Sequence, residues 1–186
     1  KDFRNKYKRV TYQEEIDALL EYEKRNEFIA NLANNAKGNT LVLFQYVAKH
    51  GRPLYEMIKS KAGEENVFFV YGGTDSDVRE EIRKIVEEKD NAIIVASYGT
   101  FSTGISIRKL HNIVFASPSK SRIRVLQSIG RQLRKSEHKE KARLYDISDD
   151  IRWKSYNNHT YRHHEERLKI YQSENFQHRT VVINIE

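Results

Sequence analysis

Residues 92–107 read AIIVASYGTFSTGISI. The first five are apolar on both parities rather than alternating, which is the pattern of a strand buried on both faces of a parallel sheet. A run of Ser, Thr, Tyr and Gly follows, as at a strand end opening into a loop. The same grammar recurs on either side, at 41–45 (LVLFQ), 67–71 (VFFVY), 112–116 (NIVFA) and 143–147 (RLYDI). Helical patterns separate the runs. Residues 54–61 (LYEMIKSK) follow Pro53, which suits a first helical turn. Asp75 or Asp77 is placed to cap a helix running to about Lys89, with Val78, Ile82, Ile85 and Val86 expected on its buried face. A further helix from about Ser121 puts Ile123, Leu126, Ile129 and Leu133 on one stripe. Strands alternating with helices of this length predict an α/β array: a three-layer parallel sheet with right-handed crossovers and helices on both faces.

Two outer segments flank this core. Thr11 and Glu14 have capping-box spacing, and Ile16, Leu19, Leu20, Phe28, Ile29, Leu32, Ala33 and Ala36 continue a helical stripe to a stop at Gly38. One long helix or two in tandem satisfy the pattern. At the other end, Tyr156 to about Ser173 reads as a polar helix, and Thr180–Ile185 as a short terminal strand. The division expected is a lead-in over 1–25, a core over 26–150 and a C-terminal extension over 151–186.

The 186 residues include 33 Lys and Arg against 26 Asp and Glu, a formal charge of +7, and residues 120–143 alone account for that excess with nine basic and two acidic side chains. A basic block of this kind points to a polyanion, although a charge run by itself is more often a solvated helix face. No cysteine is present, which excludes a disulfide framework, thiol catalysis and Cys-based metal sites and favours an intracellular setting. The longest uncharged stretch, 91–107, is too short and too polar to span a bilayer, so no membrane association is expected. The chain starts at Lys1 and its single methionine is Met57, as for a piece of a longer protein.

The sharpest chemical feature is 127–134, QSIGRQLR. Arg131 and Arg134, three apart on a helix, share a face, and Gly130 permits another surface to approach closely. Guanidinium groups are the preferred partners of a phosphoryl group in transfer. Taken with 41–51 (LVLFQYVAKHG), 70–79 (VYGGTDSDVR) and 93–107, this segment completes an ordered set that resembles motif IV, the Gly-x-Thr…Arg segment, motif V and motif VI of the second RecA-like domain of superfamily 2 helicases. Arg25-Asn26-x-x-Ile29 resembles the helix leading into that domain. Within the superfamily the chain is most similar to the recombination helicases of T-even phages, which act on branched DNA.

The resemblance implies a role for each matching residue. Arg131 and Arg134 would reach the ATP phosphates across an interdomain cleft, Gln127 would help set the closed state, and Gly104 and Gly130 would lie against nucleotide. Ser106 stands where the family commonly has an aspartate that holds the ribose, and a hydroxyl there forgoes the charge-assisted bond. Gln45, Lys49, Gly72, Thr74, Arg79 and Ser97 match positions that contact or support the nucleic-acid strand, and Lys120, Arg122 and Arg124 are further candidates from the basic block. There is no Gly-x4-Gly-Lys-Ser/Thr phosphate loop and no acidic Asp-Glu box for Mg²⁺. Asp149-Asp150, after the last core strand, reads as a helix cap. ATP and Mg²⁺ would therefore be bound mainly by a preceding RecA-like domain, and this chain alone would be inactive.

His159, His163 and His164 share a helix, but with no third ligand and basic neighbours they read as a solvated face, so no metal site is expected. Trp153, Tyr156, Tyr161 and Tyr171 either stack bases or dock the helix on the core, the latter being the plainer account. The reading is the C-terminal motor domain of an ATP-dependent DNA helicase or translocase, monomeric, in the cytoplasm of a phage-infected bacterial host. It would serve fork regression, branch migration and recombination-dependent repair. The alternative is a non-catalytic α/β nucleic-acid-binding or partner-docking module.

Overall fold

The computed structural model describes residues 10–102, 107, 109–117 and 142–185. Five strands form one all-parallel sheet: β1 (Thr40–Phe44), β2 (Val67–Val70), β3 (Ile93–Ser97), β4 (Asn112–Phe115) and β5 (Arg143–Asp146), in spatial order β2-β3-β1-β4-β5. Each expected run is a strand, within a residue at its ends. Around them lie α1 (Tyr12–Glu21), α2 (Glu23–Asn35), α3 (Arg52–Ala62), α4 (Ser76–Glu88), α5 (Tyr98–Ser102) and α6 (His159–Ser173). The helix expected from about Ser121 lies outside the described residues.

The strands are apolar on both parities because both faces are covered. Leu41, Leu43, Ile94, Ala96, Ile113 and Phe115 point to one side, where Ile82 and Val86 of α4 and Leu168 and Tyr171 of α6 pack on them. Val42, Phe44, Ile93, Val95 and Val114 point to the other, against Ile29, Ala30 and Ala33 of α2 and Leu54 and Ile58 of α3. Gly51 makes this second contact possible, since a Cβ there would stand 2.5 Å from the Phe44 ring. At the N-terminal edge of the sheet, buried Asn39 donates to the carbonyls of Val86, Lys89 and Lys109 and accepts the Ala92 N–H, tying together the approaches to three strands.

The front segment is two helices. The Thr11–Glu14 capping box forms as its spacing predicts, and Gly38 takes the left-handed conformation, φ 87°. Four expectations need correction. Val78 is 45% exposed rather than part of the buried face of α4: it lies in the first turn, level with the loops beyond the strand ends, where no sheet is left to cover it. Residues 180–185 form no strand, and Val182 is 84% exposed: the segment pairs with no strand of the described sheet, and β propensity without a partner strand makes none. Asp149 caps no helix. Its carboxylate pairs with Arg25 in a two-pronged bridge, Nε–Oδ1 2.7 Å and Nη2–Oδ2 3.0 Å, with the Arg25 side chain 1% exposed. The histidines of α6 are not a solvated face: His164 Nδ1 meets Ser148 Oγ at 3.0 Å, and the His159 and His163 rings stand edge-on to Tyr12.

α6 is fastened to the core by polar contacts. Arg167 donates to Asp146 at 2.6 Å and to Ser148 at 2.7 Å, and the Tyr171 hydroxyl donates to Asp146 at 2.8 Å. Of the aromatic stripe, Tyr171 docks into the core, while Tyr161 lies under the Arg152 guanidinium at 4.0 Å.

Candidate nucleic-acid interface at the C-terminal edge of the sheet

In a parallel sheet all C-terminal strand ends face one way, and the loops leaving them form a common ledge, the usual place for ligands in open α/β folds. Register aligns that ledge here: Phe44 of β1 pairs with Ser97 of β3, and Val70 of β2 with Ala96. The loops that start at Tyr71, Ser97 and Gln45 therefore emerge level and in that order across the sheet. They carry Gly72 and Thr74, Ser97, and Gln45 with Lys49, so the described candidate residues share one edge.

Each is held by its own local chemistry. After β1 the chain makes one wide π turn, Val47–Gly51, closed by a 2.8 Å bond from the Gly51 N–H to the Tyr46 carbonyl. Turns of this kind are often found at functional sites. The turn leaves Gln45 and Lys49 exposed and sends His50 inward. The Lys49 ammonium donates to Asp17 at 3.1 Å, an exposed pair that a phosphate would compete with.

After β2, residues 71–74 form a tight turn. The Thr74 N–H donates to the Tyr71 carbonyl at 2.9 Å, and the Tyr71 N–H donates to the Thr74 hydroxyl at 3.0 Å. Arg79, from α4, donates Nε to the Thr74 carbonyl at 3.0 Å. Thr74 and Arg79 thus build the loop, and Gly72 leaves open space at its crest: a Cβ there would meet nothing within 4 Å. After β3, Ser97 Oγ lies 2.7 Å from Thr100 Oγ1 of α5.

Beneath the ledge sits a residue the sequence reading missed. His50 is fully buried, with Nδ1 2.9 Å from Ser117 Oγ and Nε2 3.0 Å from Asn26 Oδ1. Burial, aided by the nearby positive charge of Arg25, pushes its pKa down to about 3, so the ring is neutral. A histidine in a turn bears no local sign that it faces inward, whereas the buried environment does.

Arg131, Arg134, Gln127, Gly104, Ser106, Gly130, Lys120, Arg122 and Arg124 lie outside the described residues. Among the described residues no three His, Asp or Glu side chains come together as metal ligands, and no helix is long and apolar enough to cross a membrane.

The parallel sheet and the helices around it have counterparts among known proteins. Residues 23–136 match the family described as the helicase conserved C-terminal domain. This chain belongs to that family. It is 37% identical, over 197 aligned residues and 99% of its length, to the ATP-dependent DNA helicase UvsW of Enterobacteria phage T4, and spans 39% of that protein. The crystal structure of T4 UvsW superposes with a TM-score of 0.79 at 36% identity, over 93% of this chain and 37% of that one. The C-terminal domain of the DEAD-box protein Dbp5 shares the fold, with a TM-score of 0.59 at 11% identity over 81% of this chain and 79% of its own. The chain is thus a helicase C-terminal domain with a RecA-like α/β sheet, related to an ATP-dependent helicase.

Proposed function

We propose that this chain is the second motor domain of an ATP-dependent DNA helicase or translocase acting on branched DNA, in fork regression, branch migration and recombination-dependent repair and replication. The observation that carries the reading is the likeness to T4 UvsW, which runs through 99% of the chain at 37% identity rather than stopping at the common fold. The level ledge of Gln45, Lys49, Gly72–Thr74 and Ser97 supports it, because a nucleic-acid backbone is an extended ligand that suits several loops at one height.

On this reading Arg131 and Arg134, with Gln127 beside them, face the cleft toward a preceding nucleotide-binding domain, with Gly104, Ser106 and Gly130 near the nucleotide. ATP with Mg²⁺, bound mainly by that domain, supplies the phosphoryl-transfer free energy. The part of this chain is to present fixed positive charge where negative charge builds up. Lys120, Arg122 and Arg124 add to the DNA surface, the protein works as a monomer, and its setting is the cytoplasm of the infected host cell.

The test is a steady-state ATPase assay on the full-length protein and on the 186-residue chain, each with forked DNA, linear duplex and no DNA. Turnover by the full-length protein stimulated most by forked DNA, with none by the chain alone, is expected. DNA-stimulated turnover by the chain alone contradicts the assignment to this half of the motor.

A further inference from the structure

His50 lies next to exposed Lys49 on the turn that follows β1, yet it faces away from solvent and has no place in direct nucleic-acid contact. Its neighbours fix the direction of each hydrogen bond around it. Asn26 donates Nδ2 to the Leu20 carbonyl at 2.8 Å, which leaves its Oδ1 to accept from His50 Nε2 at 3.0 Å. With the proton on Nε2, Nδ1 is an acceptor and takes the Ser117 hydroxyl at 2.9 Å. Ser117 Oγ in turn accepts the backbone N–H of Gln45 at 2.9 Å. One directed chain therefore runs from Gln45 and Ser117 through the ring to Asn26 and the Leu20 carbonyl at the corner between α1 and α2.

The ends of this chain are what give it meaning. Gln45 opens the loop after β1 on the ledge, and Ser117 follows β4, from which the sequence continues to Lys120, Arg122, Arg124 and the 127–134 segment. An apolar side chain of equal volume would fill the space. It would not offer one donor and one acceptor to two different elements, and it would leave Ser117 and Asn26 with buried polar atoms to satisfy.

We propose that His50 is a positioning residue for DNA binding: through Ser117 it holds the exits of β1 and β4 in one arrangement, anchored at the α1–α2 corner. This rests on the reading of the ledge as the DNA surface.

Two substitutions separate the arms of the ring. Asparagine places a carbonyl oxygen near the position of Nδ1 and keeps an acceptor for Ser117; glutamine places an amide nitrogen near that of Nε2 and keeps a donor for Asn26. In the full-length protein, affinity for a labelled forked DNA is measured for His50→Asn, His50→Gln, Ser117→Ala and the His50→Gln/Ser117→Ala double variant, beside thermal unfolding of each. Gln45→Ala/Lys49→Ala is the control for the ledge.

His50→Gln and Ser117→Ala are expected to weaken binding about tenfold, the order of one lost buried hydrogen bond. The double variant should be no worse than either single one, as for members of one network. His50→Asn should stay within about threefold of wild type while losing as much thermal stability as His50→Gln. Equal affinity for His50→Asn and His50→Gln, or additive losses in the double variant, overturns the proposal. If the Gln45/Lys49 control also binds like wild type, the ledge itself has been misassigned; if the control binds weakly, only the role of His50 falls.

Discussion

The carboxylate of Glu15, fully buried on α1, accepts the Thr160 backbone N–H at 2.7 Å and so caps a helix 145 residues further along the chain. It also accepts the Thr160 hydroxyl at 2.7 Å, the His159 N–H at 2.9 Å and the Asn158 side-chain amide at 3.0 Å. An anion at a helix N-terminus satisfies orphaned donors and complements the helix dipole together. Here it joins the first and last helices of the described residues.

Replacing Glu15 with Ala strands those donors in a buried setting and should cost about 2–4 kcal/mol of unfolding free energy. Glu15→Gln keeps one accepting oxygen and should cost about half as much. Urea unfolding followed by circular dichroism measures both, and a loss below about 0.5 kcal/mol for Glu15→Ala, the level of an ordinary surface substitution, would remove the cap from the account.

What the sequence made legible and what it hid divide along a physical line. The strands at 40–44, 67–70, 93–97, 112–115 and 143–146 were readable because burial on both faces leaves a continuous apolar run, which is a local signal. The Thr11–Glu14 box and a cap at Asp75 or Asp77 were readable for the same reason, since each pairs residues within one turn, and the structure selects Asp75. Glu15, next to Glu14, was indistinguishable from it in sequence, as its partners lie in α6. Asp149 looked like a cap because its partner, Arg25, lies 124 residues away. Val78 continued a helical stripe correctly, but the stripe outruns the sheet. On the ledge, Gln45, Thr74 and Ser97 came from the family resemblance, while the inward turn of His50, which lies beneath, required the fold.

The neutral, buried ring of His50 makes stability depend on pH. Its folded pKa is about 3, against about 6.5 when unfolded, so the unfolded chain takes up a proton that the native state refuses. The contribution is fully present above pH ~6.5 and is lost by about 1.4 kcal/mol per unit as pH falls from there toward the folded value. Between pH 7 and 5 the wild type should therefore lose about 2 kcal/mol more than His50→Gln in urea unfolding. Parallel pH profiles for the two would show that the ring is not held neutral.

Binding that rests on phosphate contacts weakens linearly in a plot of log affinity against log salt, by about 0.9 per contact on duplex DNA. Neutralising Lys120, Arg122 and Arg124 together should flatten that slope by about 2–3. An unchanged slope and affinity would make those side chains a solvated surface, as charge runs often are.

If Arg131 and Arg134 act on ATP held by a preceding domain, ATP turnover in the full-length protein depends on both, and Arg131→Ala and Arg134→Ala measure that dependence. Each is predicted to lower kcat by about 10³, the range seen for arginines that act on a transferring phosphoryl group, and Arg131→Lys is predicted not to restore it, because an ammonium lacks the planar fork. Near-normal hydrolysis by both alanine variants would contradict the account.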